Sequence, residues 1–388
     1  MRSSAIGSVL RLAESPGIIP LAAGSPAQEL FPNADVLEVT DRLLRNDPGA
    51  LQYGDTAGLA QLREWIAARN STRLGIGSLP ERVTLTHGSQ QALDLICKAL
   101  IDPGDVIVVD RPSYIGALQV FRLFEADLAP FPLADDEQLD ALSSALRGGL
   151  RPRLLYVVPD FANPTGATLS LLQRQRLAEL ADRYGFFIVE DDPYGELRYD
   201  TDDGGALPAI ASLSDRVLRL ESFSKVLFPA ARLGQVTAPA ELAPILGMFK
   251  QASDLGNSGF LERIVLELVT RPGFTEDRVN AARLLYTERR DALVAGLRRY
   301  FGDKLEFDVP GGGFFVWARF PGGPNADDLL TGALAHRVSY VPGTDFYAAD
   351  PDRGTLRLSF SGAGTEELTE AARRLYQAWA EGQTGVAP

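Results

Sequence analysis

Between about residue 50 and residue 285 the chain alternates between two kinds of segment, and this alternation constrains the fold more than any other feature. Helical stretches ("LAQLREWIAARN", "SQQALDLICKAL", "LSLLQRQRLAELADRYG") are separated by short apolar runs ("RVTLT", "DVIVVD", "RLLYVVP", "FFIVEDD", "VLRLESF"). Strands spaced by helices of this length predict an α/β fold: a mostly parallel sheet flanked by helices. The runs are apolar throughout, as strands buried on both faces require. In such sheets ligands bind beyond the carboxyl ends of the strands. The polar strings "HGS" (87–89), "DFANPTG" (160–166), "DDPY" (191–194) and "SFSK" (222–225) each follow one of these runs. Four strand ends aimed at one crevice carry more weight than any one string.

After about residue 285 the pattern changes to a long basic helical stretch, "LLYTERRDALVAGLRRYF", then "LEFDVPGGGFFVWARF", a helix "NADDLLTGALAHR", the strands "VSYVPG" and "TLRLSF", and a final helix. At 388 residues the chain has room for two domains. The expected division is an N-terminal arm, 1–40, packing with the small domain; a large domain, 41–285, that carries the four strand ends; and a smaller α/β C-terminal domain, 286–388.

The net charge of -13 is spread along the chain, which argues against nucleic acid or an anionic membrane as a main partner. Small anionic ligands need only a few local cations and stay open. The single cysteine, Cys97, lies on the apolar face of a helical pattern and reads as core; with no disulfide to form, a reducing compartment fits. The N-terminus has no continuous apolar run of the kind that directs secretion, so a soluble cytoplasmic protein is expected. His87 and His336 are far apart, which makes zinc chemistry and a serine–histidine hydrolase poor candidates.

Lys225 stands at a strand end among Ser222, Ser224 and, seven residues on, Arg232. An arbitrary lysine is a surface cation. A lysine deprived of solvent has a lowered pKa, and its amine is free to condense with an aldehyde. The two serines and the arginine are donors that can gather around a phosphate, and a reactive lysine beside a phosphate site is what pyridoxal phosphate needs. Gly88 and Ser89 lie between a strand and a helix start, where backbone N–H groups attract phosphate, although serine is also an ordinary helix cap. A buried Asp191 needs a cationic partner, and a protonated pyridine nitrogen would be one. Tyr194 and Asn163 could bond the ring's phenolic oxygen, although "NPTG" alone reads as a turn. Tyr114 could stack on the ring, and Arg357, a cation in an apolar strand, suits a planar carboxylate.

The strings "LQYGDTAGLAQLRE", "HGSQQALDL", "DPGDVIVVDRPSYIGAL", "FANPTG", "EDDPYGELRY", "SFSKVLFPAARLG", "PGGGFFVW" and "RLSF" run nearly end to end. In this order they resemble the fold-type I pyridoxal-phosphate aminotransferases of class I/II, and within them the kynurenine/2-aminoadipate aminotransferase branch. The resemblance implies that Lys225 anchors pyridoxal 5'-phosphate and shuttles protons. It implies that Asp191 pairs with the pyridine nitrogen, that Tyr194 and Asn163 bond the ring oxygen and that Tyr114 covers the ring. Ser89, Gln90, Ser222, Ser224 and Arg232 would hold the phosphate. Arg357 would hold the substrate carboxylate, with Gly24 and Asn163 beside it. Tyr53 would reach the phosphate of a neighbouring subunit, which implies a homodimer with shared sites.

Two departures stand out. Where the branch has "AGGLP" this chain has "LAAGSP", keeping Gly24, and where it commonly has Ser-x-Ile-Arg this chain has "SAIG", so that Gly7 replaces an arginine able to meet a substrate side chain. The expected activity is therefore amino transfer from an L-amino acid to a 2-oxo acid, with neutral or apolar donors favoured over dicarboxylic ones. The alternative is another pyridoxal-phosphate reaction on the same scaffold: a racemase, a β-lyase, or a biosynthetic cyclase or oxidase. Similar domains also occur in bacterial regulators behind a DNA-binding domain, a reading the acidic charge disfavours.

Overall fold

The computed structural model describes residues 17–199 and 207–384. At its centre is a seven-stranded sheet. Its strands are β2 (Val83–Thr86), β3 (Val106–Val109), β4 (Asp127–Pro130), β5 (Pro152–Val157), β6 (Phe187–Asp191), β7 (Val217–Ser222) and β8 (Gly234–Thr237). The spatial order is β2-β8-β7-β6-β5-β3-β4. The pairs β7–β6, β6–β5, β5–β3 and β3–β4 are parallel, and β8 is antiparallel to both β2 and β7. A parallel return needs a crossover, which Leu171–Tyr184 supplies between β5 and β6, while β6 and β7 are joined by a long connection with one short 3-10 turn, Ile210–Ser212, among its described residues; the other two expected helices, Ala60–Leu74 and Ser89–Leu100, are also present. The helix Leu171–Tyr184 begins with a reciprocal cap in which Ser170 accepts from the Gln173 backbone and Gln173 bonds back.

Two strands were not evident from pattern alone. β4 lies at the sheet's edge and is only partly buried, so it lacks an apolar run. β8 is fully buried but carries Gly234, Gln235 and Thr237, and it follows β7 through a short loop that can only return antiparallel.

The second part of the fold is a four-stranded sheet in the order β12 (Val341–Pro342), β13 (Thr355–Ser359), β10 (Phe315–Arg319) and β9 (Glu306–Phe307), all neighbours antiparallel. The helices Phe274–Phe301 and Thr365–Thr384 pack together beside it, and the first runs unbroken through residue 285. The stretch read as one strand, "VSYVPG", divides: β11 (Val338–Ser339) pairs with β1 (Ile19–Pro20), and β12 pairs with β13. Tyr340 sits at the break, fully buried, and its hydroxyl donates to the Ala326 carbonyl at 2.5 Å. The β1 pairing continues into the site: the Leu21 N–H donates to the Ser339 carbonyl at 3.0 Å, and the Ser359 N–H donates to the Leu21 carbonyl at 2.8 Å. Cys97 is a fully buried core residue whose thiol burial pushes up to about 12. No helix among the described residues is long and apolar enough to cross a membrane.

Candidate active site

Strands β2, β5, β6 and β7 end at the same edge of the sheet, and residues just past these ends line a cavity of about 500 Å³. That volume suits a small-molecule site. Of the thirteen residues singled out from the sequence, twelve line it: Gly24, Ser89, Gln90, Tyr114, Asn163, Asp191, Tyr194, Ser222, Ser224, Lys225, Arg232 and Arg357. The thirteenth, Tyr53, lies elsewhere. It is 89% exposed, in a separate groove with Leu51, Leu255 and Phe260.

Lys225 follows β7 in a turn closed by the Leu227 N–H donating to the Phe223 carbonyl at 2.9 Å. Its Nζ donates to the Gly24 carbonyl at 2.9 Å and lies 5.5 Å from the centre of the Phe314 ring. Burial, with Arg357 and Arg232 nearby, lowers its pKa to about 8. Gly24 has no room for a side chain, since a Cβ there would lie 2.5 Å from Cζ of Phe315.

At one end of the cavity the helix Ser89–Leu100 presents its N-terminus. Its capping residue is Gly88, at φ 75°, and no side chain caps the first turn, which leaves N–H groups available to an anion. Arg232 adopts a left-handed conformation, φ 46°, and its Nη2 donates to the His87 carbonyl at 3.3 Å. A Cβ on Gly88 would approach that Nη2 to 3.2 Å. Ser224 is buried, and its N–H donates to Ser222 Oγ at 3.2 Å. Gln90 is exposed and donates from Nε2 to the Gly116 carbonyl at 3.2 Å.

At the other end Asp191 terminates β6, 3% exposed. Its Oδ2 accepts from the Tyr156 hydroxyl at 2.9 Å, while Oδ1 is buried without a partner. Burial raises its pKa to about 6, and the Tyr156 and Ser89 hydroxyls restrain that rise. Between the two ends, Tyr194 packs edge-on against Phe314 and Phe315, and burial raises its pKa, with a hydrogen bond from Asn163 opposing that rise only in part.

Arg357 is buried in β13. Its guanidinium lies between the rings of Phe315, 4.1 Å away, and Phe346, 5.0 Å away. Nη1 donates to Asn163 Oδ1 at 2.8 Å, Nη2 donates to the Ala22 carbonyl at 2.7 Å, and Nε is buried without a partner. Burial lowers its pKa to about 10, so it stays charged at neutral pH.

The residues fit pyridoxal phosphate. The unpartnered Asp191 oxygen is an acceptor in search of a donor, the opposite end is rich in donors, and a primary amine of lowered pKa lies in the same cavity. Sequence reasoning missed Tyr156 and Phe315. A tyrosine inside the aliphatic run "RLLYVVP" was the available signal, because a buried phenol needs a partner.

The family profile described as "Aminotransferase class I and II" matches residues 16–375. The aromatic-amino-acid aminotransferase 1 of Thermococcus litoralis is 37% identical over 97% of this chain and 91% of its own length. The kynurenine aminotransferase of Pyrococcus horikoshii, solved with PMP, superposes with a TM-score of 0.92 at 34% identity, covering 98% of this chain and 95% of that one. The alpha-aminoadipate aminotransferase of Thermus thermophilus, solved with N-(5'-phosphopyridoxyl)-L-leucine, gives a TM-score of 0.91 at 37% identity, covering 99% and 96%. The chain belongs to the class I and II aminotransferases, fold-type I enzymes that move amino groups with pyridoxal phosphate.

Proposed function

We propose that this aminotransferase takes its amino group from neutral, apolar or aromatic L-amino acids, and that Lys225 anchors the cofactor and moves the protons. The observation that carries the donor preference is the cation inventory of the cavity. Among the described lining residues the cations are Lys225, Arg232 and Arg357, and each has a task. Arg357, with its unpartnered Nε, receives the α-carboxylate. Arg232, with Ser89, Gln90, Ser222, Ser224 and the open helix N-terminus, receives the phosphate. No further cation in that lining is left for a distal carboxylate, which would be buried unpaired. Ile115, Val158, Pro229 and Phe315 supply apolar surface instead. The bound leucine adduct in the Thermus relative accords with this reading. Gly7, and the nearby Arg2 and Arg11, lie outside the described residues, so the substitution of Gly7 for an arginine stays a sequence argument.

Pyridoxal phosphate, when bound, supplies the electron sink that makes the substrate Cα–H acidic. The chain does the rest. With the cofactor in place, the Asp191 carboxylate would hold the ring-nitrogen proton, Tyr194 and Asn163 would bond the ring oxygen, and Tyr114 would cover the ring. Gly24 and Asn163 flank the substrate beside Arg357. The Lys225 amine takes the Cα proton and returns it, its lowered pKa leaving it competent as a base near neutrality. A second 2-oxo acid then accepts the amino group.

We also propose a homodimer. Tyr53, Leu51 and Leu255 are 89%, 75% and 63% exposed around one groove, a cluster that a second copy would cover, with Tyr53 reaching the partner's phosphate site. The segment leading from β1 is taken to belong with the C-terminal unit, which the β1–β11 pairing supports.

The test is a half-reaction screen with leucine, phenylalanine, 2-aminoadipate and glutamate, read from the cofactor's absorbance. Faster conversion by leucine and phenylalanine is expected. A clear preference for the dicarboxylates would mean that another cation serves the side chain, and the donor reading falls.

A further inference from the structure

Tyr156 is one of the largest fully buried side chains, and it lies in the floor of the active-site cavity. It stands on β5 opposite Val189 of β6, and so on the face of the sheet that also carries Asp191, two residues further along. The ring is braced edge-on by Phe121, with centroids 5.5 Å apart. Its hydroxyl donates to Asp191 Oδ2 at 2.9 Å. One oxygen of the carboxylate is thereby tied down from the neighbouring strand, and the other is left buried and unpartnered.

We propose that Tyr156 is a positioning residue for the cofactor: its hydroxyl keeps the Asp191 carboxylate ionised and turned so that Oδ1 meets the pyridine nitrogen. The inference rests on the reading of Asp191 as that nitrogen's partner and extends it to a residue with no direct contact with the ring.

The surroundings of Asp191 explain why such a donor is needed. Burial opposes the charged form. Asp192, next in the chain, adds repulsion, and Arg219 on β7 adds attraction from the other side of the sheet. Tyr114 and Tyr194, both uncharged at neutral pH, stand on the cavity side, and the Ser89 hydroxyl is the second donor. Among these, Tyr156 and Ser89 are the hydrogen-bonding groups that favour the carboxylate, and Tyr156 is the more strongly acting of the two. Removing its hydroxyl leaves Oδ2 buried and unsatisfied, which shifts the balance towards the protonated acid. A protonated Asp191 has to lose its proton before it can pair with a pyridinium.

The test is the binding of pyridoxamine 5'-phosphate to the full chain freed of cofactor, in wild type and Tyr156→Phe, from pH 5 to 8.5. This probe carries the same ring nitrogen and phosphate but no aldehyde, so Lys225 forms no bond to it. Wild-type affinity should fall as the pH drops through about 6. In Tyr156→Phe the fall should set in about one pH unit higher, so that affinity is about twofold weaker near pH 7 and about tenfold weaker near pH 5. Inorganic phosphate should bind both proteins equally, which shows that the phosphate end is intact. In an Asp191→Asn background, adding Tyr156→Phe should change the affinity little. An unchanged midpoint in Tyr156→Phe, with or without weaker binding, overturns the proposal, because a packing role would not move a titration. If Asp191→Asn itself binds pyridoxamine phosphate as tightly as wild type, the underlying reading of Asp191 falls and this one with it.

Discussion

Asp191 and Asp192 are neighbours in the chain and face opposite sides of the central sheet. Asp191 looks into the active-site cavity beside Lys225. Asp192 pairs with the buried Arg219 at 2.5 Å, accepts from the Gly195 N–H at 2.7 Å, and borders a separate cavity of about 50 Å³. The alternation of strand side chains produces this division.

The two carboxylates should therefore respond differently to the same substitution. Asp191→Asn, which cannot hold a proton on the pyridine nitrogen, should lower turnover by at least about 10²-fold with little loss of stability. Asp192→Asn can still accept from Arg219 and Gly195, and Arg219 keeps Glu190 and Glu221. It should retain most activity and cost at most about 1.5–3 kcal/mol of stability. Half-reaction rates and thermal melts of both variants would check this; an active Asp191→Asn beside an inactive Asp192→Asn would reverse the assignment.

The lowered pKa of Lys225 sets a pH dependence. The amine attacks an aldehyde only when deprotonated, so recombination of the cofactor-free protein with pyridoxal phosphate should speed up as the pH rises through about 8 and then level off. An ordinary lysine would keep accelerating towards its usual value near 10.4. Stopped-flow absorbance across pH 6–10 would distinguish the two profiles.

Gly24→Ala should be damaging for a steric reason. The new Cβ would lie 2.5 Å from Cζ of Phe315, the ring that also supports Arg357. Overpacking of this kind costs typically about 1–3 kcal/mol. Both the melting temperature and the affinity for every donor should fall, and adding Phe315→Leu should recover part of the stability. A Gly24→Ala protein with unchanged melting would show that Phe315 yields freely.

Arg357→Ala should weaken all donors alike, because the α-carboxylate is common to them. Loss of a charge-assisted bidentate pair costs about 1.5–3 kcal/mol, or roughly tenfold to a hundredfold. Steady-state kinetics with leucine and with glutamate would check it. A loss confined to glutamate would instead place Arg357 at the side chain.

The parallel strands were legible because burial on both faces makes them apolar runs, and most of the cavity residues were legible because they stand at or just after the end of such a run; Gly24 and Arg357, which come from elsewhere in the chain, do not. What sequence could not place depends on contacts between distant parts of the chain. The Gly24 carbonyl meets Lys225 across 201 residues, and Arg357 reaches Asn163 across 194. Nothing local marks these encounters. β8 escaped because it carries polar residues whose partners appear only once the sheet is assembled: Gln235 Nε2 donates to Glu221 at 2.6 Å, and Thr237 accepts from Asn70 at 3.2 Å. Tyr156 looked like one more strand residue because its hydroxyl has meaning only once β5 and β6 lie side by side.

The account stands on Lys225 as the residue that carries the cofactor, and borohydride reduction of the reconstituted protein tests it most directly. Reduction should fix the cofactor covalently, and peptide mapping should find it on the peptide containing Lys225, with Lys225→Ala unlabelled. A cofactor fixed to Lys250 or any other lysine, or a protein that takes up none, would contradict the account.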